Sequence, residues 1–434
     1  KEPAVFDQPP VALAWSSTGR LAVADARGQI TLCEVEDPNQ NQRSFQLQQQ
    51  TTGTDLQVSD LAFSPDGQRL AIVGTSSRGS SAAGVLEIWE VDNARFLSRL
   101  PQPSPSPITA CCYLQVADVR YLLIGTASGQ VQCLETNQFE QLEAIDSGGA
   151  VQQLVVVDRT SPPGSAGGEA PLVIACGADG VALWDFIPQG SPNRFSRVGK
   201  FREHTGQVDA VAAIEIDFSG TPSETDQDVL IVTAGDRRVF LWTLSDWREM
   251  LAREQTTSGL ALRPPASSAG SAVPQGAVRE RRQPQLLRLS LDSEIRSLGL
   301  QWSSPGRHAD GESKSVQLLI AGSQNTLQQR TLQIRERSAA EVESANDLGS
   351  WEITGSGSWT ISESSHQLLR GHEKPLTQVL FDPRPEVWRE VATISADRTL
   401  RRWDLASYEE QRVAQLLKSE QAIFSSTAIV GDRV

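Results

Sequence analysis

A chain of 434 residues with 39 basic against 53 acidic side chains has a formal net charge of −14. That argues against a general nucleic-acid binder, because phosphate-backbone binding rests on clustered basic charge and counterion release, and leaves room only for small basic patches. Apolar residues make up 39%, enough for a real core once glycine is added, and neither a membrane-length apolar run nor a basic-then-apolar leader appears.

In chain order, short alternating apolar segments recur between Gly, Pro, Asp and Ser, whereas helical periodicity is almost absent. This pattern predicts an all-β protein. VALAWSSTG at 11–19, RLAVAD at 20–25 and ITLCEV around Cys33 open the series. VSDLAFSPDG at 58–67, RLAIVGT and LEIWEV around Trp89 repeat it, and so do ITACCYL at 108–114, YLLIGTA and VQCLET around Leu134. PLVIACG with VALWDF at Trp184, VLIVTAG with VFLWTL at Trp242, and QLLIAGS with LQQRTL at Arg330 carry it onward. Trp15, Phe63, Tyr113 and Phe381 fall at equivalent ends of the first strand in their units.

The clearest unit is HQLLRGHEKPLTQVLFDPRPEVWREVATISADRTLRRWDL at 366–405. It resembles the WD-repeat family, whose buried tetrad maps here onto His372, Thr393, Asp397 and Trp403. A closed hydrogen-bonded network of that kind satisfies an imidazole, a carboxylate and an indole N–H together. The fifth unit matches with His204, Asp236 and Trp242, but Val232 stands where the family has Ser or Thr. In the sixth, Arg330 replaces Trp, so its edge strand is expected to be held by packing or by the insertion beside it.

Four-stranded repeats of about 40–45 residues are β-propeller blades, each shielding the apolar face of the next. The expectation is a single domain over 1–434: a closed, seven-bladed β-propeller of four-stranded antiparallel blades, WD-repeat-like. Approximate blades span 8–50, 56–100, 107–146, 150–203, 207–291, 294–370 and 375–416. Ring closure has two candidates, an outer strand within 408–416 and the N-terminal AVF segment. The segment 417–434, with AIFSSTAIV at 422–430, is an extra C-terminal piece that thickens the last blade or begins an eighth.

Wide spacing marks insertions at 75–84, 158–170, 219–228, 303–315, 254–284 and 335–365. All but the first join strands one to two or three to four, so they are expected to crowd one rim. Within 254–284 lies an Arg cluster, Arg279, Arg281 and Arg282, read either as a solvated loop or as a reader of an acidic partner. Within 335–365, Trp351 and Trp359 flank a GSG turn in a predicted β-hairpin, either packing on the rim or anchoring a partner. Trp247 and Trp388, outside the repeat, are expected to cover blade edges.

Five cysteines, an odd number, argue against a disulfide framework and read as small buried hydrophobes in a reducing, cytoplasmic setting. Adjacent Cys111 and Cys112 would point to opposite faces of a strand. Four histidines are too few for an evident metal site, and no nucleotide-binding or hydrolase motif occurs. No catalytic residue, metal or cofactor is therefore expected. The resulting expectation is a non-catalytic scaffold or adaptor, a monomer or a subunit of a hetero-complex, contacting one or more proteins through the insertion-bearing rim. Two alternatives stand beside it: the recognition domain of a larger signalling NTPase, and a propeller enzyme with acidic residues at the central channel.

Overall fold

The computed structural model describes residues 4–5, 8–25, 28–34, 45–47, 56–76, 82–99, 104–137, 140–159, 170–188, 194–202, 204–217, 227–245, 247–248, 287–303, 314–336, 353–354, 359–384, 389–405 and 409–411. They form seven antiparallel sheets in a ring, a seven-bladed β-propeller.

Strand β1 (Ala4–Val5) precedes blade one, which consists of β2 (Pro10–Trp15), β3 (Arg20–Asp25), β4 (Ile30–Glu34) and β5 (Phe45–Leu47). Blade two contains β6 (Leu56–Phe63), β7 (Arg69–Ser76), β8 (Ala83–Glu90) and β9 (Arg95–Arg99). Blade three follows with β10 (Ile108–Val116), β11 (Val119–Thr126), β12 (Gln130–Glu135) and β13 (Gln141–Asp146). Blade four comprises β14 (Val151–Val157), β15 (Leu172–Gly177), β16 (Gly180–Phe186) and β17 (Phe195–Phe201). In blade five the strands are β18 (Ala210–Asp217), β19 (Gln227–Gly235), β20 (Arg238–Thr243) and β21 (Leu287–Ser290). Blade six has β22 (Ile295–Trp302), β23 (Lys314–Gly322), β24 (Thr326–Glu336), β25 (Ile353–Thr354) and β26 (Trp359–Arg370). Blade seven is built from β27 (Leu376–Phe381), β28 (Glu390–Ser395), β29 (Thr399–Asp404) and β30 (Glu409–Gln411).

Both closure candidates are used. β1 pairs with the start of β29, Val5 opposite Thr399 and Ala4 opposite Leu400. β30 pairs with its end, Trp403 opposite Glu410. Among the described residues, the outer edge of blade seven is therefore supplied in two halves, by β1 and by β30. AIFSSTAIV lies outside the described residues.

Neighbouring sheets pack face to face through apolar clusters. Blades five and six, for example, share Val232, Leu241, Leu298, Leu318, Ile334 and Ile361. Cys111 packs toward blade two and Cys112 toward blade four, on opposite faces of β10 as alternation requires. Trp247 is fully buried at the junction of blades four and five. Trp388 lies outside the described residues.

The innermost strand begins with a bulge in six blades, for example between Val58 and Asp60 and between Leu376 and Gln378. A bulge twists the strand and re-aims the next side chain. Glycine permits it: a Cβ at Gly74 or Gly322 would overlap the carbonyl oxygen of Gln57 or Glu294. Just past the bulge, a polar side chain reaches the following blade. Asp60 accepts from Cys111 N–H (2.9 Å), Gln153 from Val211 N–H (2.9 Å), Ser297 from Val379 N–H (3.2 Å) and Gln378 from Leu13 N–H (2.8 Å). Blades one, three and five have Ala12, Ala110 and Ala210 at the equivalent position.

Candidate functional site

Antiparallel order sends the connections between first and second, and third and fourth, strands to one face, here called lower. The connections β14–β15, β18–β19, β20–β21, β22–β23 and β24–β26 all emerge there, and these five carry the long insertions. Arg279, Arg281, Arg282 and Trp351 lie outside the described residues. Trp359 is the first residue of β26, paired with Glu336. β25 and β26 pair antiparallel, Ile353 opposite Ile361 and Thr354 opposite Thr360. Among the described residues, β24 and β26 run for 11 and 12 residues, longer than any other strand, and their far ends continue past the described part of β23.

Elsewhere the lower face is tied by short contacts. Arg20 pairs with Asp92 (2.6 Å) and Arg120 with Asp66 (2.6 Å), each across a blade junction. Asp382 is buried with Arg384 at 2.7 Å. Val119, at the lower start of β11, and Ile187, in the lower connection after β16, are 41% and 42% exposed and are two of the four large apolar side chains left open among the described residues.

On the opposite, upper side, blade seven holds the expected tetrad as a directional relay. Trp403 Nε1–H donates to Thr393 Oγ1 at 2.8 Å, and Thr393 Oγ1 lies 2.8 Å from His372 Nε2. His372 Nδ1 lies 2.9 Å from Asp397 Oδ2, so one tautomer, protonated on Nδ1, uses each donor once. Burial works against the Asp397 charge, but hydrogen bonds from His372, Thr399 and the Glu373 N–H hold its carboxyl well below the usual carboxylate range.

Blade five has a partial version, and it corrects the sequence reading. His204 Nε2 contacts the hydroxyl of Thr233 at 3.0 Å, so the strand hydroxyl is present one residue beyond Val232. The ten-residue spacing to Trp found in blade seven becomes nine here, because Asp236 and Arg237, both at positive φ, make a shorter turn between Gly235 and Arg238. Val232 instead faces blade six. Asp236 accepts from Thr205 Oγ1 at 3.0 Å, and neither His204 Nδ1 nor Trp242 Nε1 makes a hydrogen bond. Aromatic packing takes over: Trp242 stacks on Phe201 at 5.0 Å, and His204 meets Phe240 edge-on at 4.6 Å. Burial pushes the His204 imidazole down to about 4, against smaller opposing effects of the Gly235 carbonyl and Asp236.

Two other blades satisfy the Trp position differently. In blade two, Trp89 Nε1–H donates to Glu87 at 3.0 Å, and the carboxylate also binds Arg99 on the outer strand. The sequence signal was a Glu two residues before the Trp, on the same buried face, and it went unread. In blade six, Arg330 Nη1 contacts both carboxylate oxygens of Glu363 at 2.9 and 2.8 Å, so an ion pair from the inserted stretch joins the third and fourth strands.

Near the upper end of blades five and six, burial raises the pKa of Asp209, a hydrogen bond from Gln207 at 2.9 Å opposes the rise, and the Asp236 and Glu294 charges add to it while Arg296 offsets a smaller part. Among the described residues no cluster of three or more His, Cys, Asp or Glu has metal-holding geometry. No helix among them is long and apolar enough to cross a membrane.

No protein-family model matches this chain, and no curated protein matches it. Among solved structures, a chain of one described as the crystal structure of the mitotic checkpoint complex superposes with a TM-score of 0.53 and 15% identity, over 93% of this chain and 94% of that one. At that identity the likeness is one of fold, and it extends around the whole ring.

Proposed function

We propose that the chain is a non-catalytic, WD-repeat-like scaffold that holds one or more partner proteins on its lower face. The observation that carries this reading is the segregation of the five long insertions to one face of blades four to six, whereas the upper turns are mostly tight. A rigid ring with elaborated loops on one side is the arrangement by which a scaffold fixes binding residues. The contact residues proposed are Trp351, Trp359, Arg279, Arg281 and Arg282, since aromatic and Arg side chains carry most interface energy. The resemblance to a chain from a multiprotein complex supports a partner-holding role by analogy of fold. Cytoplasmic residence belongs to the same proposal.

The experiment is affinity capture with the wild-type chain and with a Trp351→Ala, Trp359→Ala double variant, read by mass spectrometry. Loss of a specific set of proteins from the variant is expected. An unchanged set would remove these residues from the interface. The catalytic alternative would draw on the acidic residues near the upper end of blades five and six, where the Asp236 and Glu294 charges act on Asp209. A turnover abolished by Asp209→Asn, with partner capture intact, would establish it over the scaffold.

A further inference from the structure

β29 begins beside the turn that carries Asp397 and ends at Asp404, next to Trp403. Its first residue, Thr399, belongs to two structures at once. Its backbone is opposite Val5 of β1. Its hydroxyl donates to Asp397 Oδ1 at 2.6 Å and lies 3.0 Å from His372 Nδ1, while its N–H donates to Asp397 Oδ1 at 3.0 Å. Arg398, immediately before it, has φ of 70°, a left-handed conformation that a residue with a side chain keeps only when its surroundings hold it. Among the described residues, β1 is the outer partner of Thr399 and Leu400, and β30 reaches only from Arg402 to Asp404.

We propose that β1 is a strap whose docking sets the geometry of the His372 relay, so that closure of the ring and the internal hydrogen bonding of blade seven are coupled. The acid end of the relay is clamped by the N-terminal strand and the indole end by β30, whose Glu410 is opposite Trp403. A two-residue strand contributes little pairing energy of its own, so whatever draws the N-terminal segment away frees Thr399 first. The imidazole then loses one of the groups that orient it while the rest of the blade stays packed.

The test uses the full chain with ¹⁵N label and a variant lacking residues 1–5. In the variant, the His372 ring signals are expected to shift and its ring N–H to exchange faster with water. The Trp89 indole signal, whose partner Glu87 lies in blade two, is expected to stay in place. Thr399→Val, which leaves the backbone pairing with β1 intact, should reproduce the change at His372. If the shortened chain does not fold, an Ala4→Gly, Val5→Gly variant decides the matter on the same signals. A folded variant with β1 removed or loosened and His372 unmoved would overturn the coupling.

Discussion

Gln378 reaches across the join of the ring to accept the backbone N–H of Leu13 at 2.8 Å, from 365 positions away in the chain. Replacing it with Ala leaves that N–H without an acceptor between two packed blades. Gln378→Ala is expected to lower stability by about 1–2 kcal/mol, read as a lower denaturant midpoint with an unchanged slope. A change near zero would mean that water reaches Leu13 N–H.

Asp60 performs the same task in blade two with a carboxylate. Burial raises its pKa to about 6, although N–H groups of Cys111 and Leu61 oppose the rise. Because the folded value lies above the unfolded one, this group's contribution is most favourable below pH ~4 and is lost as pH rises through 6. Asp60→Asn keeps a neutral acceptor, as Gln153 and Gln378 do, and is expected to raise stability at pH 7 by on the order of 1–2 kcal/mol. The gain over wild type should shrink toward pH 4 in melting curves across that range.

His204 has the opposite sign. Its folded pKa, about 4, lies below the ordinary imidazole value of 6.5. The unfolded chain then binds the extra proton first, so stability present above pH 6.5 is lost as pH falls toward 4. His204→Asn is expected to flatten the melting-temperature profile between those limits. A wild-type slope retained in the variant would assign the acid sensitivity to another group.

Trp403 and Trp242 hold equivalent places, but only Trp403 donates its indole N–H, to Thr393. Trp403→Phe leaves that hydroxyl with one partner fewer, whereas Trp242→Phe removes an N–H that had none. The first is expected to be about 1–2 kcal/mol more destabilising than the second in matched unfolding titrations. Equal losses would show that packing alone sets both values.

Much of this was legible where a motif was complete. His372, Thr393, Asp397 and Trp403 could be joined from the sequence because each buried polar group needs a partner and the family resemblance supplied the spacing. Thr233 was missed because register, rather than residue count, fixes which side chain faces His204, and a turn shortened by one residue is invisible to counting. Glu87 was missed because a charge in a strand reads as solvated until its neighbours Trp89 and Arg99 are seen to enclose it. The latch residues Asp60, Gln153, Ser297 and Gln378 were hidden by the bulge, which alters the strict alternation on which strand reading depends.

The alternation of polar side chain and Ala at this inner-strand position, bulged in six of the seven blades, has a consequence of parity. An odd ring cannot be two-coloured, so somewhere two like neighbours must adjoin. They do so at Ser297 and Gln378, in blades six and seven. Blade seven is thereby gripped on both flanks, and among the described residues it is the one blade whose outer edge is stitched from stretches at opposite ends of the sequence.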